Sequence, residues 1–539
     1  MFFDEKYSEV IFWTWYEYIV VIIIMGGYIM NFNCETHKLG FGENVFESTA
    51  EQSLDADISL PDYCPEIQRI LRCNVIANIN SVQNTSGRVT ADGTAVIRLI
   101  YVGESGKIAA FEQNYPVQKY IESNRINSES AISVCVNTDY VNCRAVNSRR
   151  VDIRAMLTFV FKALNKRVEN ILCGADGAGI QLMTEEFNVA SLAGVCEKVF
   201  SMSEVVEIGN DKKTVSQIIN VSACAVAGDV KIINNKALIK GDFTVKIYYI
   251  AEDSGAVENL EHSMPISQIV ELEGLNESSL FGLRLNVCSC EVSAKADTAG
   301  DMRLVDLNAR INAFLILFEE NPISIIKDAY STEYEAKNTS KNIQLFEYND
   351  KFNSAFTNKV VLESIGVSVD CVLAVWCSDI KFNFYAKDDK CITSGTYQST
   401  VIYRDSENNI GIIQKPVDFE FSSKLNKKAE KIVCYGSAVI TACSCSITGD
   451  SRLELKTEIC ISGIVLSSFN QKYISSIDIS ENSNKSEKSC ALSIYFCDDG
   501  EDVWNIARRY NTTVEAIMNE NDLNDRIISE SRMMLIPGV

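Results

Sequence analysis

Polar and apolar side chains alternate with period two along much of the chain, and one such stretch occurs three times, ending at Tyr101, Tyr249 and Tyr403. On the tyrosine's own face come Ala95, Ile97 and Leu99; then Phe243, Val245 and Ile247; then Tyr397, Ser399 and Val401. Arg98, Lys246, Gln398 and Thr400 point the other way. Successive side chains of a strand face opposite sides, so the pattern predicts a strand with one buried face. A glycine lies eight residues before each tyrosine (Gly93, Gly241, Gly395) and a proline follows it (Pro116, Pro265, Pro416). Polar segments 103–106, 252–255 and 405–409 turn each strand into a second apolar run, which predicts a hairpin.

Each copy continues to a strand in which an arginine precedes an acidic residue: Arg150 and Asp152, Arg303 and Asp306, Arg452 and Glu454. In copies two and three the preceding strand holds Cys288-Ser289-Cys290 and Cys443-Ser444-Cys445. From Gly93 to Gly241 is 148 residues and from Gly241 to Gly395 is 154, too long for a solenoid unit. The expected fold is therefore mainly β: three tandem strand-rich, β-sandwich-like repeats at 30–170, 171–335 and 336–480. Ahead of the first hairpin, Pro61-Asp62 starts a turn, and Pro65 with Ile67, Ile70 and Leu71 predicts a short helix, with weaker equivalents at 213–219 and 358–362. The glycine-rich segment 174–179 lacks the Lys-Ser/Thr of a phosphate loop and reads as a plain loop. Residues 481–490 are polar without apolar periodicity, as in a linker.

Beyond the linker, residues 491–539 follow a different pattern. A strand at Leu492–Phe496 leads to Asp502, which can cap a helix whose Val503, Ile506, Ala507 and Tyr510 share a face. Thr512 and Glu515 read as the capping box of a second helix, and Met533, Leu535 and Ile536-Pro537 supply a last strand, giving a βααβ module.

The stretch from Leu60-Pro61-Asp62 to Leu71, the repeats behind it and the C-terminal module together resemble the SPOCS-type spore-coat morphogenesis proteins of spore-forming anaerobes, over roughly residues 40–480. Residues 491–539 resemble a LysM domain. That second resemblance implies a shallow groove for N-acetylglucosamine glycans between two loops, here 497–503 and 521–528. Asp499, Gly500, Glu501, Asp502, Val503, Asp522, Asp525, Arg526 and Ile527 are then the candidate binding residues. Two departures weigh against glycan binding: Gly500-Glu501-Asp502-Val503 stands where Gly-Asp-Thr-Leu is usual, and Glu530-Ser531-Arg532 where a glycine is expected. The coat-protein resemblance implies instead a protein partner, the coat morphogenetic ATPase of the basement layer or another coat protein, with peptidoglycan glycan as the alternative.

Charge bears on that choice. The chain carries 72 acidic and 50 basic residues, a formal net charge of -22, which opposes nucleic acid and leaves contact with anionic membrane only indirect. The 19 cysteines include no C-x-x-C pair and are odd in number, so they read as thiols in a reducing compartment. Alternation puts Cys288 with Cys290, and Cys443 with Cys445, on one face each, as small apolar residues or, alternatively, as a thiolate metal site. The only two histidines are His37, in a polar N-terminal stretch, and His262, assigned to a hairpin loop, which leaves no zinc or Cys-His chemistry. No cofactor is implied, and the expectation is a non-enzymatic protein of the mother-cell cytoplasm at the forespore surface. Val10–Met25 is apolar, but Glu17 and the flanking Asp4, Glu5 and Glu9 argue against a signal or spanning segment. Gly26-Gly27 ahead of Met30 fits a translated ribosome-binding sequence, so residues 1–29 are expected to be a leader that is not translated, with an N-terminal anchor as the alternative.

Overall fold

The structure, a computed structural model, describes residues 14–15, 18–20, 32–85, 87–128, 130–277, 279–362, 368–448, 452–484 and 490–538. The leader at 1–29 and the centre of the 481–490 linker thus fall largely outside the described residues. Of the leader, Thr14–Trp15 (β1) and Tyr18–Val20 (β2) are described, as short strands beside the first long one.

Three units of six strands follow. The first comprises Asn33–Ser59 (β3), Ile67–Thr85 (β4), Arg88–Gly103 (β5), Ile108–Glu122 (β6), Ala131–Asn147 (β7) and Arg150–Asp176 (β8). The second comprises Ile180–Glu207 (β9), Val215–Ile233 (β10), Lys236–Ala251 (β11), Val257–Glu271 (β12), Leu280–Lys295 (β13) and Leu304–Ser331 (β14). The third comprises Tyr334–Leu362 (β15), Val369–Lys387 (β16), Lys390–Asp405 (β17), Ile410–Lys424 (β18), Ile432–Ile447 (β19) and Leu453–Asn484 (β20). In each, a hairpin meander (β4-β5-β6, β10-β11-β12, β16-β17-β18) faces a second sheet (β3-β8-β7, β9-β14-β13, β15-β20-β19), and all pairings are antiparallel. The alternating faces of β5, β11 and β17 fill the three sandwich cores, and Tyr101, Tyr249 and Tyr403 are buried in them. Burying a phenol requires a partner for its hydroxyl: Tyr101 donates to the Pro65 carbonyl at 3.0 Å and Tyr249 to the Lys213 carbonyl at 3.3 Å.

The repeated glycine is explained by the strand beside it. Gly93 and Gly241 each pair with the residue at the edge of a β-bulge in β4 or β10, and Gly395 pairs with Phe382, just past the bulge between Ser378 and Lys381 in β16. A Cβ there would come within 2.4 Å of the Asn78 carbonyl oxygen, 2.2 Å of that of Val226 and 2.1 Å of that of Lys381. The prolines lie on β6, β12 and β18, edge strands of their sheets, where a missing N–H is tolerated.

The helix expected after Pro65 is a strand. Cys64 N–H closes a turn on the Pro61 carbonyl at 2.9 Å, and the chain then enters β4 with two bulges in succession, between Ile67 and Arg69 and between Ile70 and Arg72. Each bulge adds one residue, so Ile67, Ile70 and Cys73 reach the same core at a spacing of three, which imitates a helical face. Units two and three carry the same double bulge, at Val215/Gln217 and Ile218/Asn220 and at Val369/Cys371 and Val372/Ala374. The third-unit equivalent is thus at 369–374 rather than 358–362, which belongs to β15. His262 likewise sits within β12, not in a loop, with Nε2 3.0 Å from Glu204 Oε2.

The second bulge has a purpose in the assembly. The extra residues Leu71, Ile219 and Leu373 turn away from their own sandwiches into a core shared by all three units, with Ile100, Tyr248, Ile250, Trp376 and Ile402. The face of β5, β11 and β17 carrying Arg98 and Lys246 is therefore covered at its far end by the neighbouring repeats. Arg72 reaches across to Thr400 Oγ1 at 2.6 Å and stacks on Trp376, and Tyr248 donates to the Val375 carbonyl at 2.7 Å. Beyond the sandwiches, the overlong pairs β3/β8, β9/β14 and β15/β20 continue as three ribbons. These pack on one another through Leu39, Ile171, Ile323, Ile325, Leu345 and Tyr473 to form a common stem.

Candidate functional site

Four elements build the C-terminal module: Leu492–Cys497 (β21), Val503–Tyr510 (α1), Val514–Glu520 (α2) and Arg532–Pro537 (β22), with β21 and β22 paired antiparallel. Asp502 caps α1, its Oδ1 accepting from Trp504 N–H at 2.9 Å. The cap of α2 is Thr513, whose hydroxyl accepts from Ala516 N–H at 3.1 Å. The capping box expected from Thr512 is corrected accordingly: Thr512 is buried one residue too early, its own N–H bonded to Ala507 O at 3.0 Å.

The two predicted groove loops lie side by side and are joined by backbone bonds, Gly500 N–H to Ile528 O at 2.7 Å, Ile528 N–H to Glu501 O at 2.9 Å and Val503 N–H to Arg526 O at 2.9 Å. Gly500 takes a φ of +83°, a left-handed conformation that favours glycine. Arg526 grips Asp502 with two bonds, 2.7 Å and 3.2 Å. Burial would raise the Asp502 carboxyl, but Arg526 and the Trp504 N–H outweigh it and hold it below its ordinary range. Glu501 is taken up by the Tyr495 hydroxyl at 2.8 Å and 3.1 Å. Asp499, Gly500, Asp522 and Asp525 are exposed around the rim, beside Asp498. Ile527 is 54% exposed, whereas Val503 is 0% exposed. Val503, a candidate for contact with a partner, is thus a core residue that no partner can touch.

The other side of the module is a docking surface. Tyr330, near the end of β14 on the stem, is buried in the module's core, edge-on to Trp504 with ring centroids 4.9 Å apart, and its hydroxyl donates to Thr512 O at 2.7 Å. Asp328 Oδ2 accepts from Trp504 Nε1 at 2.9 Å and from Arg508 at 2.7 Å. Arg526 completes the contact, 3.2 Å from Met183 Sδ on β9. The module is docked on the second unit's ribbon. One signal was available: Trp504 lies off the apolar face shared by Val503, Ile506, Ala507 and Tyr510, and so needs a second surface to cover it.

Among the described residues, no group of three or more His, Cys, Asp or Glu is placed to hold a metal ion, and no helix is long and apolar enough to cross a membrane. Cys443 and Cys445 both pack on the third core, while Cys288 is the extra residue of a bulge between Val287 and Ser289 and so does not share the face of Cys290.

Six-stranded units repeated in tandem and closed by a βααβ module define a mainly-β repeat protein. Compared with known families, residues 66–146 and 214–295 match the family described as SipL, SPOCS domain, and residues 499–537 match the LysM domain. The chain therefore carries SPOCS domains and a C-terminal LysM domain, the architecture of a sporulation-related protein with a glycan-binding type of module. Each matched SPOCS segment runs from the double bulge through the meander to β7 or β13. No curated protein and no solved structure matches the chain.

Proposed function

We propose that this chain is a non-enzymatic assembly protein of the spore coat, which docks a coat protein of the basement layer, such as the coat morphogenetic ATPase, through its LysM domain. The three units and their stem act as the rigid body that carries the module. The observation that supports a protein partner most directly is the character of the module's exposed rim. Asp498, Asp499, Asp522 and Asp525 lie on the loops that carry the exposed apolar side chain of Ile527. An apolar anchor in a charged rim suits a basic protein surface, the anchor setting affinity and the rim setting association rate. A glycan brings no cation to those carboxylates. The proposed site is accordingly Asp499, Gly500, Asp522, Asp525 and Ile527 as the contact surface, with Glu501, Asp502 and Arg526 holding the loops together.

Peptidoglycan binding is the second reading, favoured by the LysM match itself. Affinity purification from sporulating cells, with the full chain and with a chain lacking residues 491–539, tests the proposal. A coat protein captured by the full chain and lost with the module supports it; equal capture by both chains overturns it.

A further inference from the structure

A cavity of 260 Å³ opens where the units meet, lined among others by Cys224, Thr244 and Lys246 of unit two and by Trp376, Cys377 and Cys443 of unit three. Cys377 on β16 and Cys443 on β19 belong to the two different sheets of the third sandwich, on the edge strands that close its seam. Their thiols lie close enough across that seam to perturb each other, and both line the cavity. Each also touches a fixed oxygen: Cys443 Sγ is 3.5 Å from the Val375 carbonyl, and Cys377 Sγ 3.8 Å from Thr457 Oγ1. The Lys246 ammonium, held over the Tyr248 ring at 5.4 Å, acts on Cys443 from the cavity wall, with Glu261 opposite it on β12 opposing its effect.

We infer that Cys443 and Cys377 form a redox-reactive dithiol, open to low-molecular-weight disulfides through this cavity, which closes into a disulfide joining the two sheets of the third unit.

The chemistry divides the roles. The bond from Cys377 lowers the Cys443 thiol below its usual range; burial opposes this and Lys246 reinforces it. Cys377, as the donor and by burial, is pushed up. Cys443 is thus the attacking thiolate and Cys377 the resolving thiol. The Cys443 sulfur attacks one sulfur of a disulfide RSSR, forming a mixed disulfide and expelling RS⁻, which takes up the proton Cys443 gave up. Cys377 then loses its proton and attacks the Cys443 sulfur, expelling the second RS⁻, which leaves as RSH. The protein loses two electrons, and RSSR gains them as two RSH. The internal comparisons are Cys391 with Cys434 and Cys73 with Cys143, which interact in the same way but with no lysine acting on any of the four, and with Cys391 1% exposed in the core.

Oxidised glutathione is the probe. The full-length protein is treated with it near neutral pH, remaining thiols are alkylated, and the digest is analysed by mass spectrometry. A Cys377–Cys443 linked peptide should appear before any Cys391–Cys434 link, and the oxidised protein should melt several degrees higher. Cys377→Ser should stop the reaction at a glutathione adduct on Cys443. Lys246→Met should slow formation by about tenfold, the equivalent of one unit in thiol acidity. The inference is overturned if the linked peptide forms only after unfolding in urea, if Cys391–Cys434 closes first, or if Cys377→Ser leaves Cys443 without an adduct.

Discussion

Replacing Tyr330 with alanine should release the LysM domain from the stem without unfolding either. Tyr330 is 4% exposed, lies edge-on to Trp504 and donates to Thr512 O, so its truncation removes an aromatic anchor and leaves that carbonyl unpaired. Truncating a buried aromatic costs about 3–5 kcal/mol. At about 1.4 kcal/mol per tenfold, the low end of that range shifts the docked-to-released ratio by roughly a hundredfold. Tyr330→Phe removes only the hydroxyl and should cost about 1 kcal/mol, less than tenfold. The module keeps its own core of Val503, Ile506, Ala507, Ile517, Ile528, Met534 and Ile536, so it should stay folded when released. Hydrogen exchange read by mass spectrometry should show faster exchange in β14 residues 328–331 and in 504–512, with β21 and β22 unchanged. Limited proteolysis should cut more readily within 481–490. The docking argument is refuted if Tyr330→Ala leaves exchange at 328–331 and 504–512 at the wild-type rate.

Three further outcomes follow from the same geometry. Gly241→Ala places a Cβ 2.2 Å from a backbone carbonyl oxygen and should destabilise unit two by about 1–3 kcal/mol in urea unfolding, whereas Gly228→Ala, whose nearest contact is 3.6 Å, should cost under about 1 kcal/mol. Asp502→Ala should cost the LysM domain about 1 kcal/mol as a lost helix cap. Because the folded Asp502 carboxyl titrates below its ordinary range, its contribution is present above that range and lost as pH falls through the folded value; wild type and variant should converge in stability in acid and diverge towards neutrality, and a constant difference across pH would contradict this. Asp522→Lys with Asp525→Lys should weaken partner capture and flatten its salt dependence while leaving the module's melting curve in place; unchanged capture would remove those residues from the site.

Much of the fold was legible because strand alternation is a local signal. The buried face of β5, β11 and β17 could be read from Ile97, Val245 and Val401 alone, and the capped α1 from Asp502. The misreading at Ile67, Ile70 and Leu71 came from two bulges that convert a period of two into a spacing of three, and only the pairing with β5 distinguishes that from a helix turn. The core shared by the three units was hidden because Arg98 and Lys246 sit on the same strand faces as Ile100 and Tyr248, so the average character of those faces is mixed. In the candidate site, the loops were placed from the resemblance, yet Val503 points inward and Arg526 is committed to Asp502 and Met183. Both facts depend on contacts made far away in sequence, 343 residues in the case of Met183.

The claim that the LysM domain serves protein docking is tested most directly by sedimentation with purified insoluble peptidoglycan. The account predicts that the full-length protein stays in the supernatant, at low salt as at high, and that removing residues 491–539 changes nothing in that assay. Wild-type protein that pellets with peptidoglycan, and no longer does so without residues 491–539, would contradict the account and assign the module to glycan.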